Sequence, residues 1–155
     1  MIARLNDSTR KTFGKQLNEH GVLLERLAVS RIEIDAARLI VLNAAMMIDE
    51  RGAKGALKEI AEAKVLAPKT VLAVIDRAIQ SFGGAGVSQD TPLANMWAQS
   101  RTLRIVDGPD EVHLQQMGKN ENKRGKQVSQ LIERQTRATE EWFRVTGTKK
   151  EKAHL

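Results

Sequence analysis

Apolar residues recur every three, four or seven positions along most of the chain, which is the spacing of one face of an α-helix. A first long helix is predicted from Thr12 to about Glu50, and Gly52 and Gly55 are expected to end it. Its predicted apolar face consists of Leu17, Leu24, Leu27, Ile34, Val41, Ala45 and Ile48. No stretch shows a convincing strand pattern.

A second long helix is predicted from about Ala56 to Phe82, because apolar residues again recur at helical spacing. Pro68 lies inside it and has no backbone N–H to donate, so we expect a kink or a short break near Ala67. The glycine-rich sequence FGGAGVSQDTP, residues 82–92, predicts a loop.

Three shorter helices are predicted after this loop. The first is capped by Asp90 or Thr91, has Pro92 at its first position and ends near Arg101. The others span about 109–119 and 127–145. Together the elements predict an all-α, antiparallel four-helix-type bundle with an extra C-terminal helix. The division is placed between a bundle domain, residues 1–122, and a basic helix and tail, residues 123–155.

Composition narrows the class of protein. The chain of 155 residues is long enough for one domain with a sizeable core, and an aromatic content of 3% suits a helical core of aliphatic residues. The absence of cysteine excludes a disulfide scaffold and a thiolate metal site, and no metal site is predicted. No apolar run approaches the roughly 20 residues of a membrane span.

A net charge of +6 is compatible with nucleic-acid binding, but the distribution of charge argues against it. Residues 1–118 hold 15 basic and 14 acidic side chains, whereas residues 119–155 hold 10 basic and 5 acidic ones. The excess therefore belongs to the C-terminal segment, where a solvated basic end is the simplest interpretation. An alternative is a free-standing helical interaction module whose basic tail binds an acidic partner or RNA.

Three stretches carry candidate chemistry, and each also has a structural interpretation. RKTFGK, residues 10–15, places two cations at a predicted helix start, where they could hold a phosphate or simply be solvated. In QSFGGAGVSQD, residues 80–90, three glycines could admit a ligand to the backbone or form a tight turn. In RTLRIVDGPDEVH, residues 101–113, Asp107 could cap the next helix or act as a general base.

In this order, the three stretches resemble the C-terminal domain of the acyl-CoA dehydrogenases, over about Arg10 to Met117. RKTFGK resembles the family's Arg-Phe-Gly motif, and DRAIQSFGGAG resembles its Gln-x-x-Gly-Gly motif. LRIVDGPDEVH resembles the segment with the catalytic carboxylate, most closely in family members ten and eleven, which use aspartate. The resemblance implies an FAD flavoprotein that oxidises acyl-CoA thioesters to trans-2-enoyl-CoA in fatty acid β-oxidation.

The resemblance also assigns roles to single residues. It implies that Asp107 takes the α-proton and that Asp107 and Gly108 bind the substrate thioester. Arg10 matches an arginine at the FAD diphosphate of the neighbouring subunit, and Phe13 matches the phenylalanine beside it. Further FAD contacts are implied for Gln80, Gly83, Gly84, Pro109 and Glu111. Pro109 and Glu111 depart from the threonine and glutamine that are common in the family.

The family has an N-terminal helical domain and a middle β-domain that build much of the active site. We therefore expect this chain to be one domain of a longer polypeptide, inactive alone, and to form a homo-oligomer, either a dimer or a tetramer. The implied electron acceptor is an electron-transfer flavoprotein or oxygen. The final tripeptide AHL resembles a peroxisomal targeting signal, and mitochondria are the alternative location.

Overall fold

The structure is a computed structural model that describes residues 1–147, so the AHL tripeptide lies outside the described residues. Its helices are α1 (Ile2–Leu5), α2 (Gly21–Gly55), α3 (Leu57–Phe82), α4 (Gly84–Val87), α5 (Leu93–Thr102) and α6 (Asp110–Thr146). A two-stranded antiparallel hairpin, β1 (Lys11–Thr12) and β2 (Lys15–Gln16), and a 3₁₀ turn, Leu17–Glu19, precede α2. The predicted helical bundle is confirmed, and the hairpin is the part of the fold that the helical pattern did not predict.

The chain divides into two compact units, Met1–Leu114 and a second that begins at Gln115. The division predicted after residue 122 stays a prediction. Within the described residues, no helix has the length and apolar character needed to cross a membrane.

Helices α2 and α3 form the centre of the first unit and run antiparallel. The buried positions of α2 are small residues seven positions apart, Ser30, Ala37 and Ala44. Seven residues are two helical turns, so these residues form one narrow stripe along which another helix can approach closely. The buried positions of α3 are Ala61, Val65, Pro68, Thr70, Leu72, Ile75 and Ala78.

An ion pair ties the two long helices together. Arg77 of α3 donates to both carboxylate oxygens of Glu33 of α2, at 2.6 and 2.7 Å, and to Ser30 Oγ at 3.3 Å. The hydrogen bonds from Arg77 hold the pKa of the Glu33 carboxyl below its usual value. The pair therefore contributes stability above about pH 4.3, and this contribution is lost as the pH falls through the lowered pKa.

The first long helix starts later than predicted. It begins at Gly21 rather than Thr12, because residues 11–16 form the hairpin and Leu17 lies in the 3₁₀ turn. Phe13 and Gly14 both have positive φ, which an α-helix cannot accommodate. The apolar spacing extended the prediction across a turn that breaks the helical backbone.

The buried face of α2 also differs from the predicted one. Leu24, Val41 and Ile48 are 46%, 44% and 38% exposed. Other large apolar residues of α2 are exposed too, namely Val22, Ile32, Leu39, Leu42 and Met46. This helix presents an extensive apolar surface that the described residues do not cover.

Two predicted helix boundaries are wrong, and one prediction is settled in part. Helix α3 continues through Pro68, so the short break that was one of the two expectations near Ala67 does not occur. Helix α4 forms inside the predicted loop 82–92. The helices predicted at 109–119 and 127–145 are one helix, α6. A glycine costs a helix only about 1 kcal/mol, so Gly118 and Gly125 do not end a run rich in good helix formers.

Candidate functional site

Asp107 lies in the loop between α5 and α6 in an unusual backbone conformation. Its φ is +55°, and that of Gly108 is +99°. Positive φ is uncommon for a residue other than glycine, although aspartate tolerates it better than most. Among the described residues, the non-glycine positions with positive φ are Asp107 and Phe13, and both are predicted site residues. Such strain is found where the surrounding structure holds a residue for function.

The Asp107 carboxylate is exposed and unpaired. Among the described residues it accepts no hydrogen bond and forms no ion pair. Asp107 therefore does not cap α6, which was the structural alternative for this residue. The backbone N–H groups of Asp107 and Gly108 likewise donate to no acceptor in the described part of the chain. One carboxylate and two amide donors are thus available at the same point of the surface.

An ion pair between half-buried Arg104 and buried Asp110 closes the base of this loop. Asp110, the first residue of α6, is 2% exposed, and its Oδ2 accepts a 2.6 Å bond from Arg104 Nε. The Asp110 N–H donates to the Arg104 carbonyl oxygen at 3.3 Å. These two bonds join residues on either side of Asp107. Sequence reasoning missed Asp110, although an acidic residue in a first helical turn after Pro109 was a usable signal.

Two further side chains hold the loop. Lys64 Nζ, from α3, donates to the carbonyl oxygens of Leu103 at 2.5 Å and Gly108 at 3.4 Å. His113 Nε2 lies 3.4 Å from the Asp107 carbonyl oxygen. A Cβ on Gly108 would lie 3.1 Å from the His113 ring, so both φ and space favour glycine there. Lys64 is 44 positions from Gly108, and no sequence motif pointed to it.

Phe13 lies at the tip of the β1–β2 hairpin. Thr12 pairs with Lys15, so Phe13 and Gly14 are the two turn residues, with φ of +51° and +77°. Positive φ at both positions is what a type I′ turn requires, and Asn-Gly is the usual choice there. Phe13 is 98% exposed. The described residues therefore do not bury this aromatic side chain.

Arg10 lies directly before strand β1 and closes a turn that begins at Asp7. Its N–H donates to the Asp7 carbonyl oxygen at 3.0 Å, and its Nε lies 3.9 Å from Asp7 Oδ2. The Asp7 carboxylate accepts bonds from the Thr9 hydroxyl and N–H, which lower the pKa of Asp7 below its usual value. Because α2 begins at Gly21, Arg10 and Lys11 are not at a helix N-terminus as predicted.

Local contacts anchor the hairpin to the residues that follow it. The Glu19 carboxylate accepts a 2.5 Å bond from the Gln16 N–H. The His20 ring lies 3.1 Å from Thr12 Oγ1 and 3.2 Å from the Thr12 carbonyl oxygen. The turn that presents Phe13 is therefore fixed by neighbours within eight positions in the chain.

The end of α3 presents the second predicted cofactor segment. Gln80, Gly83 and Gly84 are exposed, and Gly83 ends the helix with φ of +64°. No atom lies within 4 Å of a Cβ built on Gly83 or Gly84, so their backbone is open to an approaching group. Gly86 differs, because its Cβ would lie 2.5 Å from the Ile79 carbonyl oxygen, and it is needed for packing.

Helix α1 connects this segment to the hairpin region. Arg4 donates to the Phe82 carbonyl oxygen at 3.4 Å, and its guanidinium lies 5.1 Å from the centroid of the Phe82 ring. Asn18 donates to Asn6 Oδ1 at 3.2 Å. The hairpin region and the end of α3 thus belong to one packed part of the first unit.

The remaining predicted site residues, Pro109 and Glu111, are exposed at the start of α6. The predicted residues therefore occupy three surface segments, namely the hairpin, the end of α3 and the Asp107 loop. Among the described residues, no group of three or more His, Asp or Glu side chains could hold a metal ion.

The family model for the acyl-CoA dehydrogenase C-terminal domain matches residues 6–121. The chain belongs to this family. It is 58% identical over 112 residues to acyl-CoA dehydrogenase family member 11 of Rattus norvegicus, and 50% identical over 115 residues to family member 10 of Mus musculus. The resemblance read from the three stretches, including the similarity to members ten and eleven, is confirmed.

A solved structure from Mycobacterium abscessus, assigned as an acyl-CoA dehydrogenase, superposes with a TM-score of 0.75 at 46% identity, over 79% of this chain. The alignments cover 72% and 74% of this chain for the rat and mouse relatives. The chain spans 14% and 11% of the length of these two relatives, and 30% of the solved chain.

Proposed function

We propose that this chain is the C-terminal domain of an FAD-dependent acyl-CoA dehydrogenase, with Asp107 as the base of the α,β-dehydrogenation of acyl-CoA thioesters in fatty acid β-oxidation. The observation that carries the proposal is the Asp107 carboxylate, exposed and unpaired in a strained loop. Family membership supports the reaction class, because the matched domain is that of acyl-CoA dehydrogenases.

In the proposed mechanism the Asp107 carboxylate takes a proton from the α-carbon of the thioester. The free N–H groups of Asp107 and Gly108 donate to the thioester oxygen and stabilise its developing negative charge. An FAD held by Arg10, Phe13 and the Gly83–Gly84 backbone would supply the oxidant for the β-hydrogen, which leaves with its electron pair. Aspartate is one methylene shorter than the glutamate usual in the family, so the α-carbon must lie closer to the loop for the same proton transfer.

The residues assigned to FAD fit contacts at the edge of a flavin nucleotide. The Arg10 side chain is 55% exposed, and a guanidinium binds diphosphate oxygens well. Phe13 is exposed in a fixed turn, and the open backbone of Gly83 and Gly84 admits close approach. These groups supply part of a site, so the proposal includes that the isolated chain has no dehydrogenase activity.

The apolar surface of α2 supports a homo-oligomer. Eight large apolar residues of this helix are at least 38% exposed. Their combined exposed apolar area is larger than single apolar residues scattered over a surface would give. We propose a dimer or tetramer in which this surface is covered, with electrons passing to an electron-transfer flavoprotein or to oxygen. The location proposed from the final tripeptide is the peroxisome, with the mitochondrion as the alternative.

The test uses a chimeric enzyme in which residues 6–121 replace the matching segment of the Mycobacterium abscessus protein. Acyl-CoA should bleach its flavin absorbance under anaerobic conditions. Asp107→Asn should slow this bleaching by at least about 10²-fold, the lower figure for loss of a general base. Asp90→Asn, another exposed aspartate in a loop, is the control and should not change the rate. An Asp107→Asn chimera that retains FAD and bleaches at the unsubstituted rate would contradict the proposal.

A further inference from the structure

We propose that Lys64 is the positioning residue for Asp107, and that its ammonium group sets the conformation of the catalytic loop. The inference rests on the proposed function of Asp107. Lys64 lies on α3, whereas the loop connects α5 to α6, so the contact joins separate elements of the first unit. No role for this lysine followed from the motifs of the chain.

The geometry places Lys64 across the loop. Its Nζ donates to the carbonyl oxygen of Leu103, four residues before Asp107, and to that of Gly108, one residue after it. The distances are 2.5 and 3.4 Å. One cation therefore fixes the loop on both sides of the carboxylate while leaving the carboxylate itself free.

The chemistry suits an ammonium group. Lysine offers three donors and no acceptor, and a charged donor makes hydrogen bonds roughly twice as strong as neutral ones. Lys64 has no carboxylate partner among the ion pairs of the described residues, so its charge is directed at the two carbonyl oxygens. Its side chain is half-buried, and its bond to the Gly108 carbonyl oxygen is partly shielded from water, whereas the shorter bond to that of Leu103 is exposed.

The loop needs such a contact. Asp107 and Gly108 both have positive φ, and a strained aspartate persists only when surrounding groups hold it. The Arg104–Asp110 pair closes the base of the loop, but it does not contact residues 105–108. His113 Nε2 lies 3.4 Å from the Asp107 carbonyl oxygen, the same distance as Lys64 Nζ from that of Gly108, but it is six positions from Asp107 and gives local support only. In the described part of the chain, the side-chain hydrogen bond that reaches Gly108 from another helix comes from Lys64.

Loss of this contact should affect catalysis more than substrate binding. A base displaced by about 1 Å can lose on the order of 10²-fold in rate, because proton transfer depends steeply on geometry. Lys64 donates to carbonyl oxygens of the loop and is not among the residues proposed to contact the substrate. We therefore expect a lower rate of flavin reduction and an almost unchanged KM.

The first experiment measures loop order in the chain itself. The ¹⁵N order parameters of Asp107 and Gly108 should fall from about 0.85 to below about 0.6 in Lys64→Met. This substitution keeps a long unbranched side chain but removes the charge. Lys64→Arg, which restores a cationic donor, should recover them. The matched control is Lys58→Met, also on α3, where the lysine pairs with Glu62 instead. Unchanged order parameters in Lys64→Met would overturn the inference.

The amide NMR signals of α2 and α3 show whether Lys64→Met is folded, because they should keep the positions that they have in the unsubstituted chain. Should this variant not fold, the unsubstituted chain decides, because an ammonium held by two carbonyl oxygens gives a resolved Nζ–Hζ correlation and a solvated one does not. A Lys64 signal that is absent under conditions where a held ammonium is visible would also overturn the inference.

The second experiment measures flavin bleaching in the chimeric enzyme. Lys64→Met should slow reduction at saturating acyl-CoA by at least about 10-fold with KM within about two-fold, and Lys64→Arg should recover most of the rate. If Asp107→Asn slows bleaching and Lys64→Met does not, Asp107 remains the base and Lys64 is not its positioning residue. If Asp107→Asn itself has no effect, the proposed function fails, whereas the order parameters still decide whether Lys64 holds the loop.

Discussion

The hairpin tip and the Asp107 loop share a backbone conformation with positive φ, but different contacts hold each of them. In each, a non-glycine residue with positive φ precedes a glycine with positive φ, as Phe13–Gly14 and Asp107–Gly108. The hairpin is held by its own ladder and by contacts within eight positions. The Asp107 loop is held by Lys64, which is 39 positions from Leu103 and 44 positions from Gly108. The ion pair between Arg104 and the buried Asp110 also holds it.

The difference shows which turn depends on the rest of the fold. A turn with local support keeps its shape wherever the segment is placed. A turn that depends on distant contacts is correct only when α3, α5 and α6 are packed as they are here. This suits a general base, whose position must match a substrate held by other elements.

The largest expected effect on stability comes from the base of the Asp107 loop. Arg104→Met leaves the buried Asp110 carboxylate without its partner and should lower the free energy of unfolding by about 2–3 kcal/mol. Urea denaturation measures this. Arg124→Met, which removes an exposed pair with Glu121, should cost less than about 0.5 kcal/mol. Equal costs for the two variants would show that the pair does not support the loop.

A smaller effect of opposite sign is expected at the hairpin. Phe13→Asn places a residue that tolerates positive φ at the turn and should stabilise the chain by up to about 1 kcal/mol. In the chimeric enzyme the same change should lower FAD occupancy, because the exposed ring is lost. Thermal unfolding and the flavin-to-protein ratio check both parts. A stabilised variant with full FAD content would refute the assignment of Phe13 to the cofactor.

The smallest effect concerns the turn that precedes the hairpin. The Thr9 hydroxyl is the main cause of the lowered pKa of Asp7, so Thr9→Val should raise that pKa toward its usual value of about 3.9. The stability that the ionised Asp7 carboxylate gives to this turn is fully present above about pH 4 and is lost as the pH falls through the lowered pKa. An NMR titration of the Asp7 carboxyl carbon measures the change. Thr12→Val, whose hydroxyl faces His20, should leave the titration unchanged.

The span of helix α3 was predictable, because its apolar residues recur at helical spacing from Ala56 to Phe82 and the helix runs from Leu57 to Phe82. The spacing did not identify its buried face, which includes Val65, Leu72 and Ile75. The buried face of α2 was not predictable, because this helix carries apolar residues on several sides and buries the small ones. The start of α2 was missed because a two-residue turn interrupts an otherwise continuous apolar period.

The candidate site divides in a similar way. Asp107, Arg10, Phe13 and the glycines after α3 came from local motifs that the family resemblance made specific. Lys64 and Asp110 were missed, because their roles depend on contacts that a linear pattern does not contain. Sequence could thus indicate the reacting groups, whereas the groups that hold them required the fold.

The most direct test of the central claim follows the α-proton itself. The chimeric enzyme is incubated anaerobically in water with acyl-CoA deuterated at the α-carbon, and the loss of deuterium is measured by mass spectrometry. The account predicts that Asp107→Asn abolishes this loss without changing FAD content, whereas Asp90→Asn, at another exposed loop aspartate, retains the exchange. Exchange that persists at the unsubstituted rate in Asp107→Asn would show that another group takes the proton.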